Sequence, residues 1–405
     1  MGRKRIIFWL LYLSITPALQ AQVGRSATDA YQAGVEALDQ MDYAMALEKF
    51  DEVLFHQPDL ADGYFRRAAA KVGLKAYERA LTDYTILLEL EPNHHEGLYA
   101  RALLQYQLKK YTAAREDLVY LRSLPGGETN TIFFAQPRYG NGVTGVHTVQ
   151  GTNPAYIYNY LGLIDKELGK YDQALTYFDS AVTYAPGKVD HYLNRGLTYQ
   201  EKGELALAEK DYLKVLSLDN EHGLAKYNLA VLMQQKGESK EAEDYFTLAI
   251  EANPKSPYPY RQRGYRRIKE GNFKGALADL DSALFLNNSD VETWLNKGIA
   301  LAKLKLWQEA VKSYSQAIDL APDFEKVYLN RGNTLYQLEL YEEALEDYEA
   351  ALRLSPAYGM ALYHRGLVFH KLADNEKACA DLRMAVQGGI IQAQRALKKI
   401  CRDEL

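Results

Sequence analysis

The sequence predicts an all-α fold: an α-solenoid of ten helical hairpins, with one insertion after the third hairpin and a closing helix at the end. Three observations predict it. An alanine recurs at Ala46, Ala80, Ala114, Ala174, Ala208, Ala242, Ala276, Ala310, Ala344 and Ala378, every step being 34 residues except one of 60. A Gly or Ala stands twelve residues before each marker, and in six repeats a proline stands twelve after. A fixed period of this length is the signature of stacked supersecondary units, each too small to bury its apolar face alone.

The first element, residues 1–21, reads as an export leader. Gly2-Arg3-Lys4-Arg5 is the positive region, Ile6 to Ile15 the apolar stretch, and Leu19-Gln20-Ala21 a small-residue exit, so the mature chain is expected to start at Gln22. Ser14, Thr16 and Pro17 break the run before it reaches the roughly 20 residues of a spanning helix, and no membrane span is expected in the mature chain. An uncleaved anchor is the alternative.

Residues 27–125 hold repeats one to three and residues 154–389 repeats four to ten. With the marker alanine as repeat position 20, position 8 is Gly34, Ala68, Ala102, Gly162, Gly196, Ala230, Gly264, Gly298, Gly332 and Gly366. Two small residues facing each other let the paired helices cross closely. Position 4 is mostly aromatic (Tyr64, Tyr158, Tyr192, Tyr260, Trp294, Tyr328) and position 24 is large (Phe50, Tyr84, Phe178, Tyr212, Phe246, Tyr314, Tyr348). Proline at position 32 ends one hairpin before the next begins. Stretches such as Tyr328-Leu329-Asn330-Arg331-Gly332 followed by Tyr341-Glu342-Glu343-Ala344-Leu345 resemble the tetratricopeptide repeat family over nearly the whole mature chain. The resemblance implies a right-handed superhelix with a concave groove that binds proteins or peptides. It leaves the partner open.

The segment 126–153 departs from this pattern. Leu124-Pro125-Gly126-Gly127 replaces the usual ending, and the stack is expected to be interrupted there. Thr131–Phe134 and Val143–Val149 have strand-like composition around an Asn141-Gly142 turn, predicting a β-hairpin or an ordered loop. It is either a binding element or an excursion with no binding role. Asn153-Pro154 restarts the helices. Residues 390–405 are expected to form a capping helix and tail, with Arg395, Lys398 and Lys399 on the outer side.

Position 7 is Arg67, Arg101, Arg195, Arg263, Arg331 and Arg365 in six repeats, and position 23 of those same repeats is Asp83, Asp117, Asp211, Asp279, Asp347 and Asp381. Where position 7 is Ala33, Leu161, Leu229 or Lys297, position 23 is Lys49, Tyr177, Tyr245 or Ser313. The covariation predicts an ion pair between the two helices of one repeat, a scaffold feature rather than an anion-binding stripe.

Composition narrows the function. A net charge of −5 gives no basic surface for nucleic acid, while 32 tyrosines suit helix packing and wet contact surfaces. The repeats, insertion and ends account for the whole chain, so no catalytic domain, cofactor site or metal site is expected, and His94-His95-Glu96 lacks metal-helix spacing. Cys379 and Cys401 flank Gly388-Gly389 on two antiparallel helices, which predicts a disulfide; two free buried thiols are the alternative.

The expected function is a scaffold or adaptor for a partner protein or extended peptide. Alternatives are a lumenal co-chaperone, for which Arg402-Asp403-Glu404-Leu405 and Asn287-Asn288-Ser289 speak, and a non-catalytic subunit of an envelope assembly. The expected compartment is the periplasm or cell surface in a bacterium, or the endoplasmic reticulum lumen in a eukaryote; the oligomeric state is left open. The expected peptide-binding residues lie at position 6 of the later first helices: Asn194, Asn228, Gln262, Asn296, Asn330 and His364, beside Tyr227, Tyr265, Tyr336 and Tyr363. Amides there can grip a peptide backbone whatever its sequence, or bond only to the neighbouring repeat. This face is similar to the asparagine-lined repeats of the O-linked N-acetylglucosamine transferase. A resemblance to co-chaperones that clamp a C-terminal carboxylate is partial: Arg261, Asn296 and Lys326 fit, whereas Tyr265 and Asn330 replace an asparagine and an arginine.

Overall fold

The computed structural model describes residues 17–125, 130–135, 145–150 and 154–401, with side chains described for 27–125 and 154–401. The expected leader lies mostly outside the described residues. The chain divides into two compact units, residues 1–214 and 215–405.

Unit 1 begins with hairpins α1 (Pro17–Asp39)/α2 (Tyr43–His56), α3 (Ala61–Gly73)/α4 (Tyr77–Leu90) and α5 (His95–Gln107)/α6 (Tyr111–Ser123). Strands β1 (Asn130–Ala135) and β2 (Gly145–Gln150) follow, paired antiparallel with Asn130 opposite Gln150. Then come α7 (Ala155–Glu167)/α8 (Tyr171–Tyr184), α9 (Val189–Lys202) and α10 (Leu205–Leu218), the last crossing the boundary. Unit 2 holds α11 (Gly223–Lys236)/α12 (Ser239–Ala252), α13 (Pro257–Lys269)/α14 (Phe273–Leu286), α15 (Val291–Lys303)/α16 (Trp307–Leu320), α17 (Glu325–Gln337)/α18 (Tyr341–Leu354), α19 (Gly359–Lys371)/α20 (Asn375–Gln387) and the closing α21 (Ile391–Ile400). Within each unit every first helix packs on its own second helix and on the second helix of the hairpin before.

The turn inside each hairpin has one backbone demand. Repeat position 15 has positive φ in all ten: at Gly169, Gly203, Gly237 and Gly271, but also at Met41, Lys75, Lys109, Lys305, Glu339 and Ala373. Packing of the two helices therefore imposes the left-handed residue even where the side chain resists it.

The small residue at position 8 has a different neighbour from the one expected. A Cβ built on Gly298 would lie 2.4 Å from the Tyr314 ring, and one on Gly332 2.8 Å from the Tyr348 ring, so the flat side chain at position 24 covers the glycine. Only where position 24 is Leu280 or Leu382 does the marker alanine enter, its carbonyl oxygen 3.3 or 3.1 Å from the built atom. The markers themselves are fully buried.

The insertion does not interrupt the stack, contrary to expectation. α6 and α5 both pack on α7, and one apolar core runs from Ala61 to Ile164. Arg115 reaches across the junction to the fully buried Asp165 at 2.7 Å. The two strands pair with each other, and β1 lies against α5. At the far end α21 packs on α19 and α20, burying Ala393 and leaving Arg395, Lys398 and Lys399 exposed. Cys379 and Cys401 are joined there, their Cα atoms 5.9 Å apart.

Candidate functional site

The six arginine–aspartate pairs form as the covariation requires. In each, Nε and one terminal nitrogen of the guanidinium donate to the two carboxylate oxygens of the aspartate 16 residues later, as in Arg331 to Asp347 at 2.9 and 2.7 Å. Arg67, Arg101, Arg195, Arg263 and Arg365 repeat the geometry. The aspartates are buried, with Asp347 4% exposed. The hydrogen bonds to their aspartates raise Arg195, Arg331 and Arg365 further above their ordinary range, while burial lifts the Asp347 carboxyl despite its partner.

The sequence did not disclose a further bond. The remaining guanidinium nitrogen reaches back to position 25 of the preceding repeat: Arg67 to Asp51, Arg195 to Asp179, Arg263 to Thr247 and Arg331 to Ser315, at 2.7 to 2.9 Å. Lys297 keeps only this second half, pairing with Asp281 at 2.7 Å while Ser313 stands where the aspartate would be. The flat face of the position-4 aromatic supports the cation, as Tyr328 does for Arg331 and Trp294 for Lys297. That aromatic also donates to the carbonyl six residues earlier, Tyr328 to Pro322 and Trp294 to Asn288. Arg67, Arg195, Arg263 and Arg331 thus spend all three guanidinium nitrogens on the scaffold.

The expected position-6 residues do not form one continuous ladder. Asn194, in unit 1, donates to Asn159 of the preceding first helix at 3.0 Å. In unit 2, Gln262 hydrogen-bonds the Tyr227 hydroxyl, and Asn330 donates to the Lys326 carbonyl of its own helix at 2.7 Å. Asn296 is 7% exposed. His364 lies nearly parallel to the Tyr348 ring, and burial lowers its pKa to about 4, which keeps the imidazole neutral near pH 7. Asn228 differs from all of these: it is 6% exposed and its Nδ2 has no hydrogen-bond partner among the described residues. Three of the five amides are therefore spent locally, and Asn228 is the member with a buried donor to spare.

Half-buried tyrosines flank these residues. Tyr227 meets Phe246, Tyr265 carries the Lys269 ammonium 4.7 Å over its ring, Tyr336 packs on Tyr341, and Tyr363 on His364. Burial raises the Tyr227 and Tyr336 hydroxyls above their ordinary range, so these two remain neutral donors. The partial carboxylate clamp does not assemble: Arg261 is bound to Asp290 at 2.8 Å and Asn296 is buried. Among the described residues no cluster of three potential metal ligands occurs, and no helix is long and apolar enough to cross a membrane.

Family models described as tetratricopeptide repeat match residues 67–128, 161–221, 193–257 and 291–324, and one described as TPR repeat matches 332–372. Human tetratricopeptide repeat protein 6 is 30% identical over 142 residues, covering 34% of this chain; the chain spans about a quarter of that relative, 27% of its length. Among solved structures, YrrB, titled a TPR protein with an unusual peptide-binding site, is 28% identical at a TM-score of 0.42, covering 46% of this chain and 95% of its own. A chain of the APC/C hetero-tetramer Cut9-Hcn1 covers 96% of this chain and 98% of its own, at 15% identity and a TM-score of 0.44. Proteins with such repeats generally mediate protein–protein interactions, and the fold is in general a non-catalytic scaffold. Ten phased hairpins with a repeated Arg–Asp pair, together with these matches, establish that the chain belongs to the tetratricopeptide repeat family.

Proposed function

We propose that this chain is a non-catalytic scaffold that holds an extended segment of a partner protein on the first-helix face of residues 215–405. One observation carries the reading: Asn228, at a position that helix geometry aims away from the partner helix, holds a buried amide donor with no partner among the described residues. Such a group costs about 1–3 kcal/mol unless it is satisfied. A backbone carbonyl of a bound segment would satisfy it, and the half-exposed Tyr227, Tyr265, Tyr336 and Tyr363 would supply apolar area beside it.

The test is affinity capture from the native extract with the parent chain and with Asn228→Ala. Stability should change by no more than about 1 kcal/mol, since the lost donor is unpaired, while capture weakens. Lower melting with undiminished capture would assign Asn228 to the scaffold and end the reading. We further propose that the chain works in an oxidising compartment after export, a placement that the Cys379–Cys401 bond and the leader-like residues 1–21 support. Mass analysis of secreted material should find an amino terminus at Gln22 and neither cysteine open to alkylation before reduction.

A further inference from the structure

The residue at repeat position 13, in the last turn of each first helix, changes sign along the chain. In the hairpins of residues 1–214 it is Asp39, Gly73, Gln107, Glu167 and Glu201; in those of 215–405 it is Gln235, Lys269, Lys303, Gln337 and Lys371. Lys269, Lys303 and Lys371 are exposed, and among the described residues no carboxylate pairs with them, in contrast to the arginines of position 7. Two of them sit with tyrosines of the proposed groove: Lys269 lies over the Tyr265 ring, and the Lys371 charge acts on the Tyr336 hydroxyl. What sets the three apart from other exposed lysines is their common repeat position on the first helices of one unit of a chain whose net charge is −5.

We propose that the first-helix face of residues 215–405 selects an acidic segment, with Lys269, Lys303 and Lys371 meeting side-chain carboxylates while Asn228 and the tyrosines hold the backbone and the intervening apolar groups. The proposal rests on the groove reading and specifies its ligand. Neighbouring first helices stand about 10 Å apart, and an extended chain advances about 3.3 Å per residue, so successive hairpins face every third residue. A matching segment carries Asp or Glu about three residues apart for Lys269 and Lys303 and about six further on for Lys371, because Gln337 stands between, over some nine to twelve residues. The contacts are with side chains, so no free carboxyl terminus is needed.

The experiment uses the full chain and three N-acetylated, C-amidated peptides of about twelve residues, differing only in Glu, Gln or Lys at every third position. The Glu peptide should bind most tightly and weaken as salt is raised. Lys269→Glu/Lys303→Glu/Lys371→Glu should cost it about tenfold or more, at roughly 2- to 5-fold per exposed charge pair, and should improve the Lys peptide. Lys240→Glu/Lys274→Glu/Lys312→Glu, on exposed second-helix positions, should leave the order unchanged. Equal binding of the three peptides, weakened alike by Asn228→Ala, would overturn the charge selection and keep the groove. Binding of none of them would overturn both. Equal loss in the two triple variants would reduce the effect to net charge and overturn the assignment to this face.

Discussion

Replacing Arg331 by Leu leaves the Asp347 carboxylate, 4% exposed, without either of its guanidinium bonds. An uncompensated buried charge costs about 3–5 kcal/mol, whereas replacing both partners by apolar groups of similar size is often close to neutral. Arg331→Leu is therefore expected to lose about 3–5 kcal/mol, and Arg331→Leu/Asp347→Leu clearly less, the remainder reflecting the lost Ser315 bond and imperfect packing. The difference should depend on pH. Burial already raises the Asp347 carboxyl, and removing the arginine removes what lowers it, so the folded pKa in the single variant exceeds the unfolded one by more. The folded state then binds the extra proton, and stability falls as pH rises between the two values. The single variant should thus recover on going from pH 8 to about pH 4.5, measured against the parent at each pH, and the double variant should not. Urea unfolding at several pH values reads both effects. Equal losses in single and double variants, or a pH-independent single-variant loss, would refute the claim that a buried carboxylate is being compensated.

Gly298→Ala places a Cβ against the buried Tyr314 ring and should cost about 1–3 kcal/mol by thermal or urea melting, while Lys305→Gly, at φ +62°, should be neutral or stabilising. Reduction, or Cys379→Ser/Cys401→Ser, should cost about 3 kcal/mol for a closed loop of separation 22; recovery of both cysteines as alkylated thiols without reduction would remove the bond. Ser313→Asp alone should destabilise, and adding Lys297→Arg should restore at least parent stability by completing the pair seen in six other repeats. Burial depresses His191 and His364 to about 4, below the ordinary 6.5, so unfolded chains bind more protons in this range. Stability should therefore decline as pH falls from about 6.5 toward 4, and His191→Gln/His364→Gln should flatten that decline in pH-dependent melting.

The repeat could be read in the sequence because ten copies solve one packing problem, and the covariation of positions 7 and 23 located a bond before any coordinates. The reach of the third guanidinium nitrogen to position 25 was not legible, since Asp51, Thr85, Thr247 and Ser315 share only an acceptor oxygen. The continuity of the stack past residue 125 was hidden for a similar reason: Arg115 and Asp165 replace the usual pair in a different register. Position 6 showed recurring asparagine, but a side-chain amide can turn to its own helix, as at Asn330, or to its neighbour, as at Asn194, and residue type does not say which. The lysines of position 13 are visible in the sequence by counting along the repeat, but nothing in the residue type says that they are left without a carboxylate.

The sixteen-residue spacing of the Arg–Asp pair has a consequence for how such a chain can change length. In the six modules that have it, both charges of the pair lie inside one 34-residue module, so duplicating or deleting such a module keeps the pair whole; Asp165, which depends on Arg115 of the module before it, is an exception. The bond to the preceding module asks only for an oxygen, which aspartate, threonine and serine all provide, so at this bond the modules that carry the arginine can follow one another. Copy number can thereby vary among those modules by recombination without stranding the aspartate of the pair, and the array can be lengthened to suit a longer partner before a single contact residue is altered.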